Sequence, residues 1–271
     1  MSRTRAAKLD PRRFGSVDRN VIQALPRELG IHRVIDQAAK WVESPDAVTK
    51  RAGLNLLGVL ALDHPAAFAP LLVAIPIAVA DPRVTVRRAL ARALSGHADQ
   101  RVRPGLAQLT SDDDASVRVL AAAGLPLTCV DDEAGQREVA ALLQQMLDDP
   151  DDEVRDWATF ALGVQVDIDT PEVREALARK LTDGRQNTAG EATVALARRR
   201  DPRTAAVLLN ALKDPNVGNL YVEAAAYLAD KRLLPLLVEL KAQDWQSTNE
   251  PRPHLLDEAI AACRTGVPRR N

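Results

Sequence analysis

The chain has 271 residues, 46% hydrophobic and 27% charged, and only eight are aromatic (three Trp, three Phe, two Tyr). That balance excludes wholesale disorder, and the dominance of alanine, leucine and arginine favours helix and excludes an all-β sandwich or barrel. Lys+Arg (36) and Asp+Glu (37) nearly cancel, yet residues 1–110 hold 17 basic and 9 acidic side chains while residues 111–271 hold 19 and 28, so the chain is an electrical dipole along its sequence.

In chain order, residues 1–20 are basic, poorly patterned and lack the apolar core of a secretory signal, so they are expected to form a flexible tail. The stretch 20–33 (NVIQALPRELGIHR) reads as a capping helix that shields the first of a series of repeats. From residue 34 to 264 the chain repeats itself. SPDAVTKRAGLNLLG (44–58), DPRVTVRRALARALSG (81–96), SDDDASVRVLAAAGL (111–125) and DDPDDEVRDWATFALG (148–163) are close copies. Weaker ones lie at 182–197, 213–229 and 246–263. Leu56, Leu94, Leu125, Leu162, Leu196, Leu228 and Ala262 mark the end of each copy at spacings of 31 to 38 residues, the period of a two-helix repeat.

Each copy opens on an Asp-, Pro- or Ser-rich turn, which caps orphan N–H groups, and continues with apolar residues at helical spacing, such as Val154, Ala158, Ala161 and Leu162. A second apolar helix precedes each turn, so the unit is helix A, short acidic turn, helix B, and seven units are expected. The most apolar stretch, 65–80, is 16 residues with three prolines, too short and broken to span a bilayer. Residues 244–253 form a longer turn in which Trp245 is expected to be exposed, a second candidate contact. Residues 265–271 are a basic tail. Residues 21–264 are therefore expected to form a single solenoid between two tails, in a cytoplasmic protein without cofactor or membrane segment.

These copies resemble HEAT repeats, in particular the HEAT-like repeats of the phycobilisome-lyase type found in uncharacterised bacterial proteins. The most specific feature is an Asp six residues before an Arg: Asp81 and Arg87, Asp112 and Arg118, Asp149 and Arg155. The resemblance implies an all-α, right-handed α-α solenoid in which such pairs form a ladder between repeats and B helices line the concave surface. The pattern lapses in the first copy, which has Ser44 and Lys50, and after residue 182, where Ala189, Tyr221 and Leu256 stand at the Arg position. The later repeats then stack by apolar contact alone or by other polar links. Pro76, inside an A helix, matches the kinked A helices of the family.

Catalytic patterns are absent from the sequence. His32, His64, His97 and His254 fall in different units and none belongs to an HExxH motif. Deoxyhypusine hydroxylases are HEAT-like enzymes that hold iron through His-Glu pairs, and no His-Glu pair occurs here. Cys129 and Cys263 lie in apolar contexts and imply buried thiols. The acidic turns 112–114 and 148–153 lack EF-hand spacing, and capping explains them without a metal. A non-enzymatic protein is expected.

The B helix of the fourth unit stands out. With Val154 at the centre of its core face, Trp157 lies at the edge and Asp156 and Phe160 lie on the flanks. Trp157 either fills a gap between repeats, which an edge-of-core position favours, or anchors a partner. In other copies the Asp156 position is Arg51 and Arg88, and the Phe160 position is Asn55 and Arg92. The Trp157 position becomes Glu191, Glu223 and Glu258 in the last three. Thr188 and Glu191 also have the spacing of a capping box, a duller origin for that glutamate.

One face thus runs from arginine through aromatics to glutamate. This suits a scaffold that binds a protein or an extended peptide, with Arg51, Arg88, Arg92, Asp156, Trp157, Phe160, Glu191, Glu223 and Glu258 as candidate contacts. Two alternatives come from related repeat proteins. HEAT-like alkylpurine DNA glycosylases use Trp, Asp and Arg at the damaged base. Arg155, Asp156 and Trp157 are adjacent here without that family's spacing, and the acidic second half disfavours nucleic acid. A phycobilin-lyase-like chaperone rests on the repeats alone.

Overall fold

A computed structural model describes residues 9–14, 19–243, 245 and 253–269. Among these, every regular element is helical. The first helix, α1 (Arg19–Leu29), is followed by seven A/B pairs: α2 (Ile31–Val42) with α3 (Ala47–Asp63), α4 (Phe68–Val79) with α5 (Val84–Leu94), α6 (Arg103–Leu109) with α7 (Ala115–Gly124), α8 (Glu133–Met146) with α9 (Asp152–Phe160), α10 (Pro171–Arg179) with α11 (Gln186–Arg198), α12 (Arg203–Ala211) with α13 (Asn219–Leu228), and α14 (Leu234–Ala242) with α15 (Pro253–Thr265). This is an α-α solenoid architecture. The chain divides into two compact units, residues 1–135 and 136–271. In the first unit α3 packs on α5 and α5 on α7; in the second α9 packs on α11, α11 on α13 and α13 on α15.

The expected capping helix is two elements. Gly30 adopts φ +83°, a backbone state that Cβ-bearing residues avoid, and the chain turns there from α1 into α2. The expected flexible segment before residue 20 holds a 3-10 turn, Pro11–Phe14, with Phe14 buried. Asn55 Nδ2 donates to the Phe14 carbonyl at 2.8 Å, and the Phe14 ring lies 6.1 Å from that of Trp41. Asn55 is therefore interior, not part of an open face. Residues 1–8 and 15–18 of that segment lie outside the described residues. Helix α4 continues through Pro76.

The acidic turns do two jobs. Asp46, Asp114 and Asp151 cap α3, α7 and α9 by accepting from backbone N–H groups. The ladder occupies the next positions. Arg87 donates through Nη1 to the carbonyl of Asp81, six residues back, and through Nε and Nη2 to the carboxylate of Asp112 in the next repeat at 2.5 and 2.9 Å. Arg155 repeats this with the Asp149 carbonyl and the Asp183 carboxylate, and Arg118 donates to the Asp112 carbonyl. The expected lapse at the first copy is corrected: Lys50 Nζ reaches Asp81 Oδ2 at 2.9 Å, so a lysine fills the Arg position.

Later links take other forms. Arg199 is half-buried and donates to the carbonyls of Gly163 and Ile168. Lys180 pairs with Asp148 at 2.7 Å. A second clamp escaped the sequence reading. In Asp81/Arg83, Asp99/Arg101, Asp201/Arg203 and Asp230/Arg232, the carboxylate accepts from both the backbone N–H and the guanidinium two residues on. Its signal, Asp-x-Arg, was visible in the chain.

Candidate partner-binding site

Helix α9 is capped by Asp151, whose Oδ1 accepts from the N–H groups of Glu153 and Val154 at 3.0 and 3.2 Å. Val154 and Ala158 point into the core, and this rotation sets Asp156, Trp157 and Phe160 on the flanks. Beyond Phe160 the helix widens into a π turn, Ala161–Gln165. Trp157 is 38% exposed at the edge of the core. Its ring meets Phe160 edge-on, with centroids 6.0 Å apart and planes at 83°. With Asp156 and Glu191 of α11 these rings line a cleft of about 310 Å³. Four of the residues singled out from the sequence therefore come together.

The cleft brings together two partly buried carboxyls. Burial pushes the Glu191 carboxyl up to about 7, and repulsion from Asp156 and Glu223 adds to it. Asp156 is also raised by burial, although Thr188 Oγ1 donates to its Oδ1 at 3.2 Å and Arg185 Nε stands 3.5 Å from its Oδ2. The capping box expected of Thr188 and Glu191 is absent, because Thr188 lies inside α11 and gives its hydroxyl to Asp156 instead.

Glu223 and Glu258 continue the row on α13 and α15, the next helices in the stack. There the sequence reading missed a residue. Arg269, placed in a tail, lies across these helices: its N–H donates to the Ala226 carbonyl at 3.0 Å. Its Nη1 stands 3.2 Å from Glu258 Oε2 and 3.8 Å from Glu223 Oε1. The same guanidinium lies 5.4 Å from the centre of the Tyr227 ring, which Arg198 approaches at 5.5 Å. Tyr227, four residues after Glu223 on one helical face, was findable; no sequence signal ties Arg269 to it.

The arginines belong to the first unit. Arg88 on α5 reaches Asp114 at 3.1 Å, Arg92 is exposed, and Arg51 on α3 is half-buried. Trp245 is not an exposed contact: it is 7% exposed, its Nε1 donates to the Val217 carbonyl at 2.9 Å, and its ring joins the core around α12–α15. The rest of that turn, residues 244 and 246–252, lies outside the described residues. Cys129 and Cys263 are buried, and burial pushes the Cys263 thiol up to about 12, which keeps it protonated. His97 is buried against the Gly58 carbonyl at 3.1 Å, and burial lowers its proton affinity. Among the described residues no group of acids, histidines and cysteines is placed to hold a metal, and no helix is long and apolar enough to cross a membrane.

Comparison with known proteins agrees with this architecture. Over 124 residues, 46% of this chain, the sequence is 34% identical to protein YibA of Escherichia coli K12, and the match takes in 42% of that protein's length. The X-ray structure of Escherichia coli YibA superposes with a TM-score of 0.69 at 22% identity, covering 96% of this chain and 94% of that one. An engineered protein superposes with a TM-score of 0.61 at 17% identity over 94% of this chain and 72% of its own. The model for HEAT repeats matches residues 71–163 and again 139–229, which together exceed half of the chain and coincide with the helix pairs built above. The chain belongs to the HEAT-repeat family.

Proposed function

We propose that this protein is a non-catalytic scaffold whose B-helix face binds a protein or extended peptide partner. The observation that carries this reading is the cleft on α9 and α11, where an exposed Trp157 and a half-buried Phe160 meet two carboxylates that the fold leaves partly desolvated. An aromatic anchor beside charges is how interfaces concentrate their energy. Glu223 and Glu258 extend the acidic row and set orientation; within the first unit Arg51, Arg88 and Arg92 are separate proposed contacts for acidic groups. The aspartates and arginines of the ladder hold the helices in place and take no part in contact.

The test is affinity capture with wild type, Trp157→Ala and the double Glu191→Lys/Glu223→Lys variant. A protein partner retained by wild type and lost from both variants, with helicity intact, supports the scaffold. Capture of nucleic acid that is indifferent to the charge reversal overturns it in favour of a nucleic-acid binder.

A further inference from the structure

The acidic row in the second unit already holds a guanidinium of this chain. Arg269 sits between Glu223 and Glu258, on adjacent B helices, with its charge 5.4 Å from the centre of the Tyr227 ring. One step back along the same row, Asp156 and Glu191 stand on adjacent B helices beside the rings of Trp157 and Phe160. The two places share a chemistry of paired carboxylates with aromatic faces. No cation is among the residues that line the second cleft, and Arg185 reaches only the Asp156 side. Glu191, Glu223 and Glu258 share one position of the repeat, which Trp157 fills on α9, and Asp156 stands one residue before it, so the two places are neighbours along one row without matching residue for residue.

We propose that the cleft formed by Asp156, Trp157, Phe160 and Glu191 is a guanidinium-binding subsite for an arginine side chain of an extended partner segment, and that Arg269 is an internal competitor in the neighbouring subsite. This deepens the scaffold reading and rests on it. A planar guanidinium stacks on an indole or phenyl face and donates in its own plane to carboxylates on either side, an arrangement that an ammonium matches less well. The cleft of about 310 Å³ admits one such side chain. Binding also relieves the repulsion between Asp156 and Glu191 that burial aggravates. Arg269 holds its subsite through one backbone hydrogen bond, two ion pairs and the Tyr227 ring at an exposed position, a set of contacts weak enough for a partner arginine to displace.

The probe is a capped octapeptide of alternating serine and arginine, compared with a twin carrying citrulline at each arginine. Citrulline keeps the planar shape and removes the charge. Titration calorimetry on the full chain at pH 8 is run on wild type, Trp157→Ala, Glu191→Gln and Arg269→Ala, each checked for native helicity. The expected result is that the citrulline twin binds at least about tenfold more weakly. Trp157→Ala and Glu191→Gln each lose about tenfold, and Arg269→Ala gains severalfold by freeing the second subsite. Equal binding of the two peptides overturns the proposal, as does a folded Trp157→Ala protein that binds undiminished, or an Arg269→Ala protein that fails to bind millimolar arginine peptide. If a captured protein partner still depends on Trp157 in any of these cases, the scaffold reading stands and only the guanidinium assignment falls.

Discussion

Asp112 and Glu191 are both shielded carboxylates, and the fold moves them in opposite directions. Burial alone would raise Asp112, but the Arg87 guanidinium and the Asp114 N–H outweigh it and hold this carboxyl below its ordinary value. A group depressed in the folded state contributes stability that is present above its unfolded value and lost as pH falls below it. Asp112→Asn is therefore expected to cost about 1–3 kcal/mol at pH 7 and progressively less as pH drops below about 4. Glu191 has the reverse sign. Its folded value of about 7 lies above the ordinary 4.5, so the folded chain keeps a proton that the unfolded chain has released, and stability declines as pH rises through that window. Glu191→Gln is expected to stabilise by ~1–3 kcal/mol at pH 8 and to be nearly neutral at pH 4.5. Urea midpoints at these pH values check both.

Helix-on-helix packing is where small residues matter. Gly58 of α3 faces α5 so closely that an added Cβ would lie 2.7 Å from the Ala93 Cβ. Gly58→Ala should gain about 1 kcal/mol of helix propensity and lose about 1–3 kcal/mol to overpacking, so the net change is a lower thermal midpoint. An unchanged or raised midpoint would mean that α3 and α5 can part at little cost. On α9 the opposite outcome is expected. Trp157 packs on Phe160 but keeps 38% of its surface in solvent. Trp157→Ala should therefore cost only about 1–2 kcal/mol, well below the 3–5 kcal/mol of a sealed aromatic, and leave helicity intact. A loss at the upper figure would make it a core residue.

In a stack of repeats each unit contacts its neighbours, so damage spreads by nearest-neighbour links. Arg87 ties α5 to the turn before α7, and its loss strands Asp112, whose side chain is 4% exposed. Hydrogen exchange followed by mass spectrometry is expected to show Arg87→Ala accelerating exchange in α5 and α7 far more than in α13 and α15. Uniform acceleration along the chain would show that it unfolds as one block. The charge dipole read from the sequence is also a property of the whole. Divided at the boundary between the units the dipole is smaller, because residues 1–135 hold 18 basic and 15 acidic side chains and residues 136–271 hold 18 and 22.

Much of this was legible locally. Period-3.6 apolar spacing, Asp-capped turns and a repeat of 31 to 38 residues carry the information for seven helix pairs, because each helix forms and stops by rules that act within about one turn. Repeat register then placed Glu191, Glu223 and Glu258 at the position of Trp157, with Asp156 and Phe160 beside it. Local rules could not say that Lys50 replaces arginine in the ladder, that Trp245 turns inward to Val217, or that Thr188 serves Asp156 and not its own helix. Nor could they bring Phe14 onto Asn55 or Arg269 onto Glu223. Each of those pairings joins groups 28 or more residues apart. Such contacts depend on where stacked helices leave space and unpaired charge, and that is fixed only when the repeats pack.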